Sequence, residues 1–128
     1  MVIAMNPGAT WEWVAPEDRA LPEAQQTVWT LRSLDVRQQA TINDASYSVQ
    51  DDAVRFGSMQ RLTLAYGLVD VRNFRDAAGL EVKLEFTRGA HGQIVSDGSL
   101  SKVPASVRSA MAEAITQGNR LDATDRKN

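Results

Sequence analysis

The sequence predicts an α+β fold: a small, mainly antiparallel sheet of four to six short strands with a central helix and a C-terminal helix. Three patterns carry this. Val82, Leu84 and Phe86 alternate with Lys83, Glu85 and Thr87, the period of a half-buried strand. Met59, Leu62, Tyr66 and Val69 recur at helical spacing, and Leu64, Ala65 and Leu68 widen that face. Val107, Met111, Ala114 and Ile115 form a second such face between Pro104 and Gly118. Proline suits a first helical turn and glycine a stop, so a helix is predicted over 104–117.

The other elements follow in chain order. Residues 1–14 read as an N-terminal arm, with Asn6, Pro7 and Gly8 breaking any period. Within it, residues 11–14 are a short alternating stretch. Its Trp11 and Trp13 either cap the domain's own core or anchor a neighbouring subunit, since tryptophan is enriched at binding hot spots. Removing residues 1–14 is expected to weaken assembly and leave the domain folded. Residues 16–22, bounded by prolines, read as a loop. Residues 26–32 are a strand candidate, with Thr27, Trp29 and Leu31 on one side.

Ser33 is the expected cap of a helix over 34–43 with Val36, Ala40 and Ile42 as its apolar stripe; an extended segment is the alternative. A hairpin is expected across Asp51 and Asp52, between 45–50 and 53–56, with a loop as the alternative. Ser58 is the expected cap of the central helix over 59–69. Gly67 inside that helix calls for a close packing contact or an early end. Residues 76–79 form a turn, and Phe74 before it is placed to pair with the 82–86 strand. Residues 88–92, including His91, read as an exposed loop. Ser96 and Asp97 cap a short helical turn ending near Lys102. Residues 15–118 are one domain, and 119–128 a polar tail.

Composition narrows the function. The 128 residues are 43% hydrophobic and 23% charged, ordinary globular values. The net charge of −2 gives no global support for a phosphate-backbone partner. The only lysines are Lys83, Lys102 and Lys127. An arginine excess suits bidentate pairing with carboxylates at protein interfaces, and a GC-rich codon bias produces it equally. With no cysteine, disulfides, thiol nucleophiles and thiolate metal sites are excluded. No secretory signal and no membrane span is read from the chain.

The residues also offer no recognisable catalytic set. The single histidine, His91, lies among glycines, and a general base needs an orienting partner and a pocket. It reads as a solvated loop residue. Asp51 and Asp52 lack the spaced oxygen ligands and central glycine of a calcium loop. No Walker-type phosphate loop, dinucleotide fingerprint or nucleophile elbow is present. The expectation is a non-enzyme with no catalytic residue, no metal and no cofactor. Arg55, Arg61, Arg72 and Arg75 lie near Phe56, Tyr66 and Phe74, as a nucleic-acid surface would have them. Asp51, Asp52, Asp70 and Asp76 oppose them, which favours a salt-bridged protein surface.

Several pieces together resemble a family. They are Leu21-Pro22-Glu23 leading to Gln26-Thr27-Val28-Trp29-Thr30-Leu31-Arg32, then Tyr66-Gly67-Leu68-Val69, then Asn73-Phe74-Arg75-Asp76-Ala77-Ala78-Gly79 with the 82–86 strand. Val95-Ser96-Asp97-Gly98-Ser99-Leu100 and Val103-Pro104 with the final helix complete the order. Over residues 21–118 the chain resembles small morphogenesis proteins of tailed bacteriophages. The likeness lies in the order of fold elements, and it carries no functional residue across. It implies a virion protein of the tail or head–tail region, assembled in the host cytoplasm. The implied partners are other phage structural proteins and further copies of the chain in a ring or tube, with no membrane or nucleic-acid partner. A tail-assembly chaperone absent from the mature particle is the first alternative; a small nucleic-acid-binding regulator is the second. The candidate protein-interface residues are Trp11, Trp13, Trp29, His91, Arg72 and Arg75.

Overall fold

A computed structural model describes residues 1, 2, 4, 6–48, 53, 54, 56–89 and 91–120. The expected features at Asp51, Asp52 and Arg55, and those of the tail from 121 onward, lie outside the described residues. The fold is α+β: among the described residues, a three-stranded antiparallel sheet, two two-stranded antiparallel pairs, and four α-helices including a C-terminal one.

The first strand is launched by a turn. Ala9 N–H donates to the Asn6 carbonyl at 3.1 Å, and Gly8 sits at φ +82°, a left-handed conformation that glycine adopts without steric cost. Gly8 N–H donates to the Ser33 carbonyl, and Ser33 N–H donates to the Ala9 carbonyl. Two residues thus oppose one in a glycine bulge. Strand β1, Thr10–Trp13, follows directly and pairs with β2, Val28–Arg32. The expected arm of 1–14 therefore ends before Thr10. Its last residues are an integral strand whose tryptophans pack on the core, so removing 1–14 would strip the sheet as well as the arm.

Helix α1 is Val36–Ser46. Its cap is Asp35, not the expected Ser33. Asp35 N–H donates to Gln38 Oε1 at 3.0 Å, and Gln38 N–H donates to Asp35 Oδ1 at 2.8 Å. That reciprocal capping box satisfies two orphan donors. Ser33 is instead buried and closes the β1–β2 ladder. Ile42 is buried as expected, whereas Val36, in the first turn, is 79% exposed. Of the expected hairpin, the flanks β3, Tyr47–Ser48, and β4, Ala53–Val54, pair antiparallel, whereas Ala45 and Ser46 belong to α1 and Phe56 to the next helix.

The central helix α2 is Phe56–Gly67 and ends two residues before Val69. Ser58 is inside it rather than its cap. Leu68 and Val69 belong to β5, Leu68–Arg72, which pairs with β2 on the side away from β1. The register jumps between Leu31↔Leu68 and Thr30↔Asp70, leaving Val69 as an extra residue. Strand side chains alternate faces, so without that bulge Leu68 and Val71 would point to opposite sides. With it, both join the core. Both readings of Gly67 hold: the helix ends there, and a Cβ would lie 2.6–2.8 Å from Ile115 side-chain atoms.

After β5, Asp76 builds the expected turn. Its Oδ1 accepts from Ala78 and Leu80 N–H, and Gly79 takes φ +81°. Val82 N–H donates to the Phe74 carbonyl at 2.7 Å, the pairing expected of Phe74. The 82–86 strand does not form as expected. The Glu85 carbonyl still accepts from Ser96 N–H, in register with the pairing that follows it, but Glu85 N–H is diverted to Ser99 Oγ. The strand starts at its end instead, as β6, Phe86–Gly89, paired with β7, Gly92–Val95. Phe86 stays 38% exposed. The expected 88–92 loop is thus a tight hairpin, with Gly89 opposite Gly92 at φ +112°. Seven strands, rather than four to six, are present among the described residues.

Ser96 caps α3, Asp97–Leu100, by accepting from Ser99 N–H. The Pro104 carbonyl accepts the first bond of α4, Ala105–Arg120. Met111 and Ile115 are fully buried and Val107 nearly so, as the spacing predicts. They join Leu31, Leu64 and Leu68 in one core between α2, α4 and the inner sheet face. Each such side chain contributes about 1.5–3 kcal/mol. Gly118 does not stop the helix, which runs to Arg120. A Cβ there would lie 2.5 Å from the Trp11 ring, so Gly118 clears space for that indole. Among the described residues, no helix is long and apolar enough to cross a membrane.

Two glycines of α2 should respond oppositely to alanine. Gly67→Ala pushes a methyl into fully buried Ile115, and overpacking of roughly 1–3 kcal/mol should outweigh a propensity gain near 1 kcal/mol. Gly57→Ala meets open space and should stabilise by about 0.4–1 kcal/mol. Urea-unfolding midpoints of the two variants should move in opposite directions.

Candidate protein interface

Strand β1 is at the edge of its sheet, in the order β1-β2-β5. The Gly8–Ala9 pair exchanges hydrogen bonds with Ser33. Antiparallel ladders alternate bonded and non-bonded pairs. Trp11↔Leu31 and Trp13↔Trp29 are therefore bonded pairs, and Thr10↔Arg32 and Glu12↔Thr30 are not. The peptide groups of Thr10 and Glu12 face away from β2. Both residues are exposed, and no described strand lies beside them. The strand has no lysine, proline or internal bulge to block pairing.

The two faces of β1 differ. Trp11 and Trp13 point inward, half-buried against the core. Glu12 points outward and is gripped by Arg72 on β5, across the intervening strand. Nη1 to Oε1 is 2.9 Å and Nη2 to Oε2 is 3.2 Å, a bidentate pair. The hydrogen bonds from Arg72, and then its charge, hold the Glu12 carboxyl below the usual glutamate range and raise the guanidinium in turn. Both groups are well exposed, so the pair orders a surface and adds little to stability.

The expected interface residues do not form one patch. Trp11, Trp13 and Arg72 gather around the β1 edge. Trp29, at 2% exposure, is a core residue, its ring 5.0 Å from that of Phe74. Arg75 is folded onto its own turn, donating to Asn73 Oδ1 and the Gly79 carbonyl. His91 is in the β6–β7 turn, partly buried rather than solvated, and its carbonyl accepts from Gln38. It lines a small cleft of about 240 Å³ with Pro7, Gly8 and Arg32, at the other end of β1. The expected arginine–aspartate pairing of neighbours gives way to distant partners, Glu12 for Arg72 and Asp97 for Arg61 at 3.5 Å.

A larger open cleft of about 620 Å³ lies between the 16–25 segment and the 73–75 corner, with Trp29, Phe74 and Val107 among its lining residues. Asn73 builds that corner. At φ +58° it is in the left-handed region, donating to the Ala24 and Gln26 carbonyls while its own carbonyl accepts from Thr27 Oγ1. In the sequence, Asn73 falls only within the segment that carries the family resemblance, ahead of the 76–79 turn. Asparagine before a turn is the sequence signal for this geometry. Among the described residues, no group of three or more His, Asp or Glu side chains is placed to hold a metal ion.

No protein-family model matches the chain, and neither a curated protein nor a solved structure does.

Two measurements test this geometry. Glu12 has a depressed folded pKa, so its contribution is fully present above the unfolded value and disappears as pH falls through the lower folded one. In a carboxyl NMR titration, Glu12 should titrate below the ordinary glutamate range, and Arg72→Gln should return it there. Separately, Asn73→Ala loses three side-chain hydrogen bonds, to the Ala24 and Gln26 carbonyls and from Arg75, and keeps the left-handed strain, a cost of about 1–3 kcal/mol. Asn73→Gly should recover only the backbone part, as read from denaturation midpoints.

Proposed function

We propose that this chain is a non-catalytic structural protein of a tailed-bacteriophage particle, working by protein–protein assembly in the tail or head–tail region. The observation that supports this reading best is the open edge of β1. An extended strand from another subunit can add there, taking affinity from backbone hydrogen bonds and specificity from the flanking side chains. The rigid support behind the edge fits the same role. Trp11 and Trp13 are seated on the core, and Glu12 is held by Arg72. The order of fold elements over 21–118, which resembles phage morphogenesis proteins, supplies the context. The partners are other virion proteins and further copies of the chain, and the protein works without cofactor, metal, membrane or nucleic acid.

Mass spectrometry of purified particles from the source phage tests this. Recovery of the chain at several copies per particle is the expected result. Recovery from infected-cell lysate but not from particles would replace the structural role with that of a tail-assembly chaperone. No association with a phage in either fraction would overturn the reading. A salt-dependent DNA-binding assay would then test the regulator alternative.

A further inference from the structure

We propose that the partner at the β1 edge is a second copy of this chain, bound by antiparallel pairing of β1 with itself about a two-fold axis at Trp11. This rests on the assembly reading above and names its occupant. Within β1 the outward-facing residues are Thr10 and Glu12, bounded by the Gly8–Ala9 bulge on one side and, on the other, by Val14, whose carbonyl is taken by Arg19 Nε at 3.1 Å. An antiparallel partner must pair its own outward residues with these. A two-fold axis through Trp11 does this within one strand: Thr10 of each copy meets Glu12 of the other.

The side chains suit that register. Opposite Glu12 stands an uncharged threonine, so no like charges meet across the seam, where they would be destabilising. Its carboxylate is already oriented and neutralised by Arg72. On the inner face, bulky Trp13 meets small Ala9 of the other copy. Trp11 meets Trp11 at the axis, an aromatic cross-strand pair of the kind that stabilises sheets. The two three-stranded sheets become one of six strands, and both copies present the same patch. Such an isologous contact closes at two, so a ring or tube would need a second, different surface.

The experiment uses the full chain. Sedimentation velocity across a concentration series should resolve a species of twice the 14.0 kDa chain mass. Thr10→Pro removes an outward N–H while leaving the β1–β2 bonds, and the symmetry doubles the loss. Its dimer should weaken by roughly thirtyfold, with the far-UV circular dichroism unchanged. Should that variant not fold, cysteine pairing replaces it, and the chain has no native cysteine to interfere. A mixture of Thr10→Cys and Glu12→Cys chains should form a disulfide on oxidation, and neither variant should do so alone. Paired Cα atoms there lie about 5.5 Å apart, within disulfide reach.

A chain that stays monomeric at several hundred micromolar would overturn the proposal, as would a dimer that crosslinks within either single variant. The particle mass spectrometry is independent of both results. A monomer in solution that is nevertheless present in particles would sink the self-pairing and leave the assembly reading standing.

Discussion

Ile115 can lie against the end of α2 only because Gly67 carries no side chain: a methyl there would begin within 2.8 Å of its branches. Much of the architecture depends on that approach. It brings α4 down onto the sheet, so Met111 and Ile115 can fill the space over Leu31 and Leu68. It also marks where the helix gives way to β5, since Leu68 starts the strand in the next position. Protein interiors are packed as densely as organic crystals, so a wider separation would open a void through the centre of the core. The bulge at Val69 serves the same end from the sheet side, by turning both Leu68 and Val71 inward.

Elements governed by neighbouring residues were legible in the sequence. The Asp76 turn, the Ser96 cap and the apolar face of α4 each follow from contacts spanning a few positions. Where two readings share one local grammar, the sequence does not separate them. Ser33 and Asp35 are both good capping residues, and Asp35 wins because Gln38 stands three positions after it to reciprocate. Gly118 has the look of a helix stop, and only the distant Trp11 reveals that it is a clearance. The 82–86 alternation marks a strand, of which only the end at Phe86 forms. It cannot reveal that a distant serine hydroxyl would take the Glu85 N–H.

The candidate interface was legible only in part. Trp11 and Trp13 drew notice by their type. The Asn-Pro-Gly turn that ends the arm and starts an edge strand was written in the sequence but read as a break. The Glu12–Arg72 pair joins residues on the two outer strands of the sheet, and no local pattern links them. Trp29 shows the opposite limit: a residue type favoured at binding surfaces is equally suited to a core, and pairing with β strands on both sides decided it. An edge strand is a liability unless something occupies it, and here its outward face is held in order rather than blunted.

The seat of Trp11 on Gly118 ties the first strand to the last helix, about 100 residues further along the chain. Synthesis runs from one to the other at roughly 5–20 residues per second. For on the order of 5–20 s, β1 therefore exists on the ribosome without the helix that holds its indole. Until α4 emerges, the strand that carries the open edge has only one side of its final support. An unpaired edge is open to pairing with other chains during that interval, so the arrival of α4 closes a window of vulnerability.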